Sequence, residues 1–144
     1  MIIISGSDVI SDSSEKNYSI LIVDDDTANL MELNHILRNS YKLRMVKDGK
    51  NAIRNASEFL PDIILLDVVM PEMNGFEVLA ELKKSEKTKD IPVIFVTGMK
   101  DVLNEKEGFA LGAVDYIRKP FNIEDVKNRI LVQLAIKSNK FKLL

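Results

Sequence analysis

The sequence predicts an α/β domain built on a five-stranded parallel sheet, doubly wound, with helices on both faces. Two observations carry this. Short β-rich runs with little polar alternation recur along the chain, which is the pattern of strands buried on both sides. Between them lie longer segments whose apolar residues return at helical spacing. Five of each alternate from Tyr18 onward. Parallel neighbours require a crossover, almost always right-handed, so this alternation implies a parallel sheet.

The first strand is Ser19-Ile20-Leu21-Ile22-Val23, and a helix follows from about Thr27 to Arg38, with Leu30, Leu33 and Leu37 on one face. Lys42-Leu43-Arg44-Met45-Val46 alternates as an edge strand does. Asp48-Gly49 punctuates the chain, and Ala52, Ile53, Ala56 and Leu60 continue at helical spacing. Ile63-Ile64-Leu65-Leu66 is a fully apolar strand ending at Asp67, and Phe76, Leu79 and Leu82 mark the helix after it. Ile91-Pro92-Val93-Ile94-Phe95-Val96 is the next buried strand. The helix from Asp101 to Leu111 stops at Gly112, and Val114-Asp115-Tyr116-Ile117 is the last strand. Asn122, with Asp125 three residues on, opens a final helix bearing Ile123, Val126, Ile130 and Leu134.

Composition narrows the function. The 144 residues are 46% apolar and 29% charged, enough for a sizeable core. Twenty basic and 22 acidic residues give a net charge of −2, which disfavours direct nucleic-acid binding by bulk charge. With no cysteine, disulfides, thiolate zinc sites and cysteine nucleophiles are excluded, and a single histidine, His35, disfavours histidine metal sites and Ser-His-Asp chemistry. No apolar run approaches the ~20 residues that span a bilayer, and Met1–Ile4 is too short for a signal peptide, so a cytoplasmic protein that does not engage membranes is expected. Residues 1–17 read as a flexible, Ser- and Asp-rich lead-in that carries the whole net charge, 18–136 as the domain, and 137–144 as a basic helical extension.

Open α/β sheets bind ligands at the carboxyl ends of their strands. Here those ends carry Asp24-Asp25-Asp26, Asp67, Thr97-Gly98 and Lys119-Pro120. Gathered carboxylates repel unless a cation neutralises them, and all-oxygen ligands suit Mg²⁺, with Mn²⁺ as a substitute. Such an ion beside an ammonium and a hydroxyl suits a phosphoryl group, and a carboxylate, best placed at Asp67, can be the nucleophile. The plainer reading makes Asp24–Asp26 a loop and helix cap and Asp67 a strand terminator. Thr97 and Lys119 at equivalent strand ends weigh against it.

Four segments together resemble the receiver domains of two-component response regulators: Ile20–Asp26, Pro61–Gly75, Ile91–Gly98 and Gly112–Phe121, in that order. The resemblance implies a flavodoxin-like (βα)5 fold with strand order 2-1-3-4-5. It also implies that Asp67 accepts a phosphoryl group from a phosphohistidine on a sensor histidine kinase or phosphotransfer protein. Asp24, Asp25, Asp67 and the carbonyl of Val69 would hold Mg²⁺, Lys119 would contact a phosphoryl oxygen, and the Lys119–Pro120 bond would be cis. Thr97 and Tyr116 would act as the switch, although Tyr116 reads equally well as a core tyrosine. The face of helix four, strand five and helix five would then dock a downstream module or protein, with a homodimer left open. The expected protein is a signalling switch and not a turnover enzyme; a degenerate receiver that docks without phosphorylation is the alternative.

Two rival classes fit less well. A phosphatase of the haloacid dehalogenase type needs a threonine where Ala28 stands, and a flavodoxin-like cofactor binder needs a phosphate loop where three aspartates stand. The resemblance to receiver domains also implies that the positions two past Asp67 and two past Thr97 tune loss of the phosphoryl group; here they are Val69 and Met99, both apolar, so slow self-dephosphorylation is expected. Beyond Val126 the chain carries five basic residues and no acid, and Phe141 continues the spacing of Leu134, so the last helix is expected to run past the domain, either as a solvated basic face or, by its resemblance to receiver linkers, as the lead to an output module.

Overall fold

Alternate residues of one strand point to opposite faces, and in this chain both faces are apolar. The computed structural model describes residues 2–3, 17–98, 105–138 and 142–143. Strands β1 (Ser19–Val23), β2 (Lys42–Val46), β3 (Ile63–Asp67), β4 (Val93–Thr97) and β5 (Asp115–Arg118) form one parallel sheet in the order β2-β1-β3-β4-β5. Helices α1 (Thr27–Leu37), α2 (Gly49–Phe59), α3 (Gly75–Lys84), α4 (Glu105–Leu111) and α5 (Ile123–Lys137) follow the strands in turn. Order and direction are those expected from the sequence, with β2 at the edge.

Each strand divides its side chains between two cores. Leu21, Val23, Ile64, Leu66, Val93 and Phe95 pack with Ala52 and Ala56 of α2 and with Val78, Leu79 and Leu82 of α3. Ile20, Ile22, Ile63, Leu65, Ile94 and Val96 pack with Leu30, Leu33 and Leu37 of α1 and with Val126, Ile130 and Leu134 of α5. This double burial is why β1, β3 and β4 read as unbroken apolar runs.

Capping sets the helix starts. Asp26, Asp48, Asn74 and Asn122 accept backbone N–H groups of the first turns of α1, α2, α3 and α5, and Asn74 with Glu77 completes a reciprocal capping box. Asp48-Gly49 is thus a cap and first helical residue. Pro92 precedes β4; it has no N–H to give, although its carbonyl accepts from Ile64.

Two expectations need correction, those for Leu60 and for the basic extension, and part of a third lies outside the described residues. Leu60 does not continue the buried face of α2. It caps that helix in the left-handed region at φ 48° and is 51% exposed. Ile123 is the first residue of α5, on that helix as expected, and is exposed. The first residues expected for α4, 101–104, lie outside the described residues, as does Met99; the helix ends as expected before Gly112, whose φ is +112°. The basic helical extension is not continuous. Helix α5 closes at Lys137 and Ser138, where the Ser138 N–H meets the carbonyls of Leu134 and Ile136 and its hydroxyl meets Tyr18 at 2.6 Å. Serine and asparagine propagate helix poorly, and Lys142–Leu143 is instead extended, pairing antiparallel with Ile2–Ile3.

Leu60 gives a direct test. A non-glycine residue in the left-handed region costs on the order of 1 kcal/mol, and glycine is the usual residue there. Leu60→Gly is expected to raise the unfolding free energy by about 0.5–1 kcal/mol, after allowing for the greater freedom of glycine in the unfolded chain. A higher urea midpoint with an unchanged slope is the expected result; a lower one would mean that contacts of the leucine side chain outweigh its backbone strain.

Candidate functional site

Because the strands are parallel, their carboxyl ends lie on one edge of the sheet, and the expected residues converge there. Asp24 and Asp25 leave β1, Asp67 ends β3, Thr97 ends β4 and Lys119 follows β5. Register places Asp67 opposite Val96 and Thr97 opposite Arg118, and the Lys119 N–H donates to the Thr97 carbonyl at 2.8 Å.

Lys119 reaches back across the edge. Its Nζ donates to Asp67 Oδ1 at 3.1 Å and lies 3.4 Å from Asp24 Oδ2. One carboxylate oxygen each from Asp24, Asp25 and Asp67 lie within 4.8 Å of one another. Asp24 and Asp67 are buried while Asp25 is exposed. Asp24 Oδ1 accepts the backbone N–H of Asp26 at 2.9 Å, but its buried Oδ2 has the Lys119 ion pair and no hydrogen-bond partner among the described residues. The helix-cap reading of the acidic run therefore holds for Asp26 alone.

Burial and like charge raise the carboxyl pKa values here. Asp67 is pushed from 3.8 to about 7, chiefly by burial and then by the Asp24 charge, with Lys119 pulling the other way. Asp24 is also raised, by burial. Burial lowers Lys119, but the attraction of Asp67 and Asp24 exceeds that and leaves its constant raised. Among the described residues one ammonium thus faces three carboxylates, and this set of groups is short of positive charge. The deficit, the all-oxygen donors and the orphaned Asp24 Oδ2 fit a hard divalent cation.

Thr97 is fully buried, and its Oγ1 has no hydrogen-bond partner among the described residues. Val69 lies two residues past Asp67 in the β3–α3 loop with its side chain 60% exposed. Tyr116 is buried on the opposite face of β5 from Ile117, packed against the rings of Phe95 and Phe109. It therefore sits beneath α4 and not at the carboxylate edge. His35 is exposed on α1, as expected, and the Lys119–Pro120 bond is cis.

Gly75 is a site residue to which sequence reasoning assigned no role. A side chain there would overlap the Asp67 carbonyl and approach Val68 Cα to 3.0 Å. The first turn of α3 is in this way laid directly on the end of β3. The signal was available, as a glycine opening a helix directly after an Asn cap.

The family model for the response regulator receiver domain matches residues 20–131, most of the chain. The chain belongs to the response regulator receiver domain family. A protein of Vibrio cholerae named "Probable cyclic di-GMP phosphodiesterase" is 41% identical over 126 residues, covering 88% of this chain and 29% of the relative. The chain likewise spans less than half the length of the other leading curated relatives. Among solved structures, the chemotaxis response regulator CheY4 of V. cholerae matches 81% of this chain and 98% of its own at 29% identity and a TM-score of 0.75. The receiver domain of the sensor histidine kinase PA1611 from Pseudomonas aeruginosa, solved with a magnesium ion in its active-site cleft, covers 82% of this chain and 97% of its own, at 28% identity and a TM-score of 0.74. The chain is thus a receiver of two-component signalling, with the five-stranded order expected for that family. No helix among the described residues is long and apolar enough to cross a membrane.

Proposed function

We propose that this receiver is a phosphoacceptor switch in which Asp67 takes a phosphoryl group from a phosphohistidine of a sensor kinase or phosphotransfer protein. The observation that carries it is the buried Asp67 carboxylate held 3.1 Å from the Lys119 ammonium beside Asp24 and Asp25. An Asp67 oxygen attacks phosphorus, the new O–P bond forms, and the P–N bond breaks with its electron pair passing to the imidazole. Lys119 is positioned to neutralise a phosphoryl oxygen, and the Thr97 hydroxyl to donate to another. Asp24, Asp25, Asp67 and the Val69 carbonyl would hold Mg²⁺, or Mn²⁺ in its place, which would supply neutralising charge at the acceptor.

Phosphorylation then biases a pre-existing equilibrium through these new charge-assisted contacts. Thr97 and Tyr116, on β4 and β5 between the site and α4, carry the change to the face of α4, β5 and α5. That face exposes Phe109, Val114, Val132 and Ile136, apolar surface suited to a downstream module or to a second copy. Control of an appended output module, in the cytoplasm, is the role this reading assigns to the receiver. The domain turns over no substrate beyond its own phosphoryl group.

The test is incubation with acetyl phosphate and Mg²⁺ followed by intact mass. A gain of one phosphoryl group is expected, abolished by chelator and by Asp67→Asn; no gain with any donor would favour a docking module independent of phosphate. Val69 adds a prediction on lifetime. Its exposed apolar side chain offers no group to orient an attacking water, so the phosphorylated protein is expected to persist for minutes or longer. Loss within seconds, followed by mass, would refute that.

A further inference from the structure

Four aromatic rings form a continuous row from α3 to the surface of α4. Phe76 meets Phe95 edge-on with centroids 5.2 Å apart, Phe95 lies 5.6 Å from Tyr116, and Tyr116 lies 4.9 Å from Phe109. Phe95 is fully buried and Tyr116 nearly so, whereas Phe109 is half exposed. Two glycines bracket this row. Gly75 lies under one edge of Phe95, where an added Cβ would stand 3.0 Å from Cε1. Gly108, on α4, lies under the other, where an added Cβ would stand 2.9 Å from Phe95 Cε2 and 3.0 Å from Tyr116 Cζ, and would overlap the Tyr116 hydroxyl.

The overlap with the hydroxyl is too severe for a small adjustment. Tyr116 cannot retreat deeper, because Phe95 fills the space on its inner side and is itself pinned against Gly75 and the end of β3. At the end of α4 the Ala113 N–H donates to the Gly108 carbonyl at 3.0 Å, closing the helix turn that holds position 108. The route open to the ring is outward, past Phe109. Glycine is a poor helix residue, so its presence in the middle of this short helix runs against local propensity. The packing supplies the reason that propensity does not.

We propose that Gly108 is the seat of Tyr116: the tyrosine ring stays buried only because position 108 carries no side chain, and this position sets the balance between buried and displaced tyrosine. Phe109, the next residue, covers the ring edge-on and is the surface element that must move when the ring does. The link from this seat to Asp67 rests on the proposed switch function; the seat itself does not.

The experiment uses the full chain with tyrosine rings labelled with carbon-13. The chain has three tyrosines, and the Tyr116 signal is identified by its loss in Tyr116→Phe. A soluble paramagnetic agent reports ring exposure. In the parent without phosphoryl donor, Tyr116 is expected to be shielded, and in Gly108→Ala its broadening is expected to rise at least threefold. Alanine favours helix over glycine, so an unconstrained site would instead give a more stable protein with Tyr116 still shielded, which would overturn the seat. Thermal melting gives the second reading. Gly108→Ala is expected to lower the midpoint, and to lower it at least 5 °C less when Tyr116→Phe has removed the hydroxyl. If Gly108→Ala fails to fold, recovery of folding by Tyr116→Phe supports the seat, and no recovery overturns it.

Acetyl phosphate with Mg²⁺ separates the two claims. Gly108→Ala is expected to gain the phosphoryl mass as the parent does, while its Tyr116 signal no longer changes exposure on phosphorylation. An unaltered response would overturn the coupling to Asp67. A parent that takes no phosphoryl group would overturn the proposed function and leave the seat, read without donor, standing.

Discussion

Asp67→Asn is expected to make the metal-free protein more stable at pH 8, by about 1–3 kcal/mol, although it removes the residue on which the proposed reaction depends. The sign follows from the constant of about 7 that burial and the Asp24 charge give this carboxyl, against 3.8 for an unperturbed one. Between those two values the folded protein holds a proton that the unfolded chain has released. Stability therefore falls as pH rises through that window, and the loss is complete only about one unit above the folded value. A displacement of that size corresponds to a free energy on the order of 4 kcal/mol; Lys119 and relaxation of neighbouring groups keep the realised figure below that. The amide carries no charge at any pH and removes most of this slope. Urea unfolding in chelator at pH 5, 6, 7 and 8 measures it. The parent should weaken steadily with pH and the variant should not, and Mg²⁺ should stabilise the parent at pH 8 far more than the variant. A variant less stable than its parent at pH 8, with the same slope, would mean that Asp67 is not charge-strained. A site that holds repelling carboxylates together at the expense of stability is what a functional centre, and not a structural one, looks like.

Why so much of this was legible in the sequence has a physical basis. In a parallel sheet the strands are buried on both faces, so Ile20–Val23 and Ile63–Leu66 are apolar without interruption, and β1 and β2 have the bounds read from the sequence. Parallel direction also places every strand's carboxyl end on one edge, so Asp24, Asp67, Thr97 and Lys119 meet there although they lie far apart in the chain. Other features depend on contacts between elements. Which aspartate of the run Asp24–Asp26 is buried and which caps α1 is decided by how the chain leaves β1 under the Lys119 side chain. Leu60 resembles a continuing helix face until the left-handed cap turns it out. The end of α5 depends on Ser138 meeting Tyr18 across the domain. Gly75 is locally visible only as a glycine after the Asn74 cap, and Gly108 has no local reason to be glycine; their reasons are the Asp67 carbonyl and the Tyr116 ring.

Lys119→Met tests the opposite side of the same balance and is expected to be the most damaging single change at the site. Methionine keeps roughly the length and apolar stem of lysine, so the effect isolates the ammonium. Without it, Asp24 and Asp67 are left buried with no cation facing them among the described residues, a situation that costs about 3–5 kcal/mol when both are charged. Allowing for partial protonation of Asp67, a loss of about 2–4 kcal/mol at pH 8 is expected. Lys119 also pulls the Asp67 constant down, so its removal moves that constant further up and shifts the window in which stability falls to higher pH. At pH 5 Asp67 is neutral in both proteins, only Asp24 loses its partner, and the loss should be at most half as large. Mg²⁺ should restore part of the deficit at pH 8. Equal destabilisation at pH 5 and pH 8 would show that lysine serves by packing, and would sink the electrostatic reading. The kinetic consequence separates Lys119 from the acceptor. Removing one charge-stabilising donor typically slows a reaction by about 10²–10³-fold, so uptake of the phosphoryl mass should slow by that order and still reach one group per chain, whereas Asp67→Asn should take up none. If Lys119→Met took up the group at the parental rate, the 3.1 Å contact would belong to the resting fold alone, and charge neutralisation during transfer would have to come from elsewhere in the site.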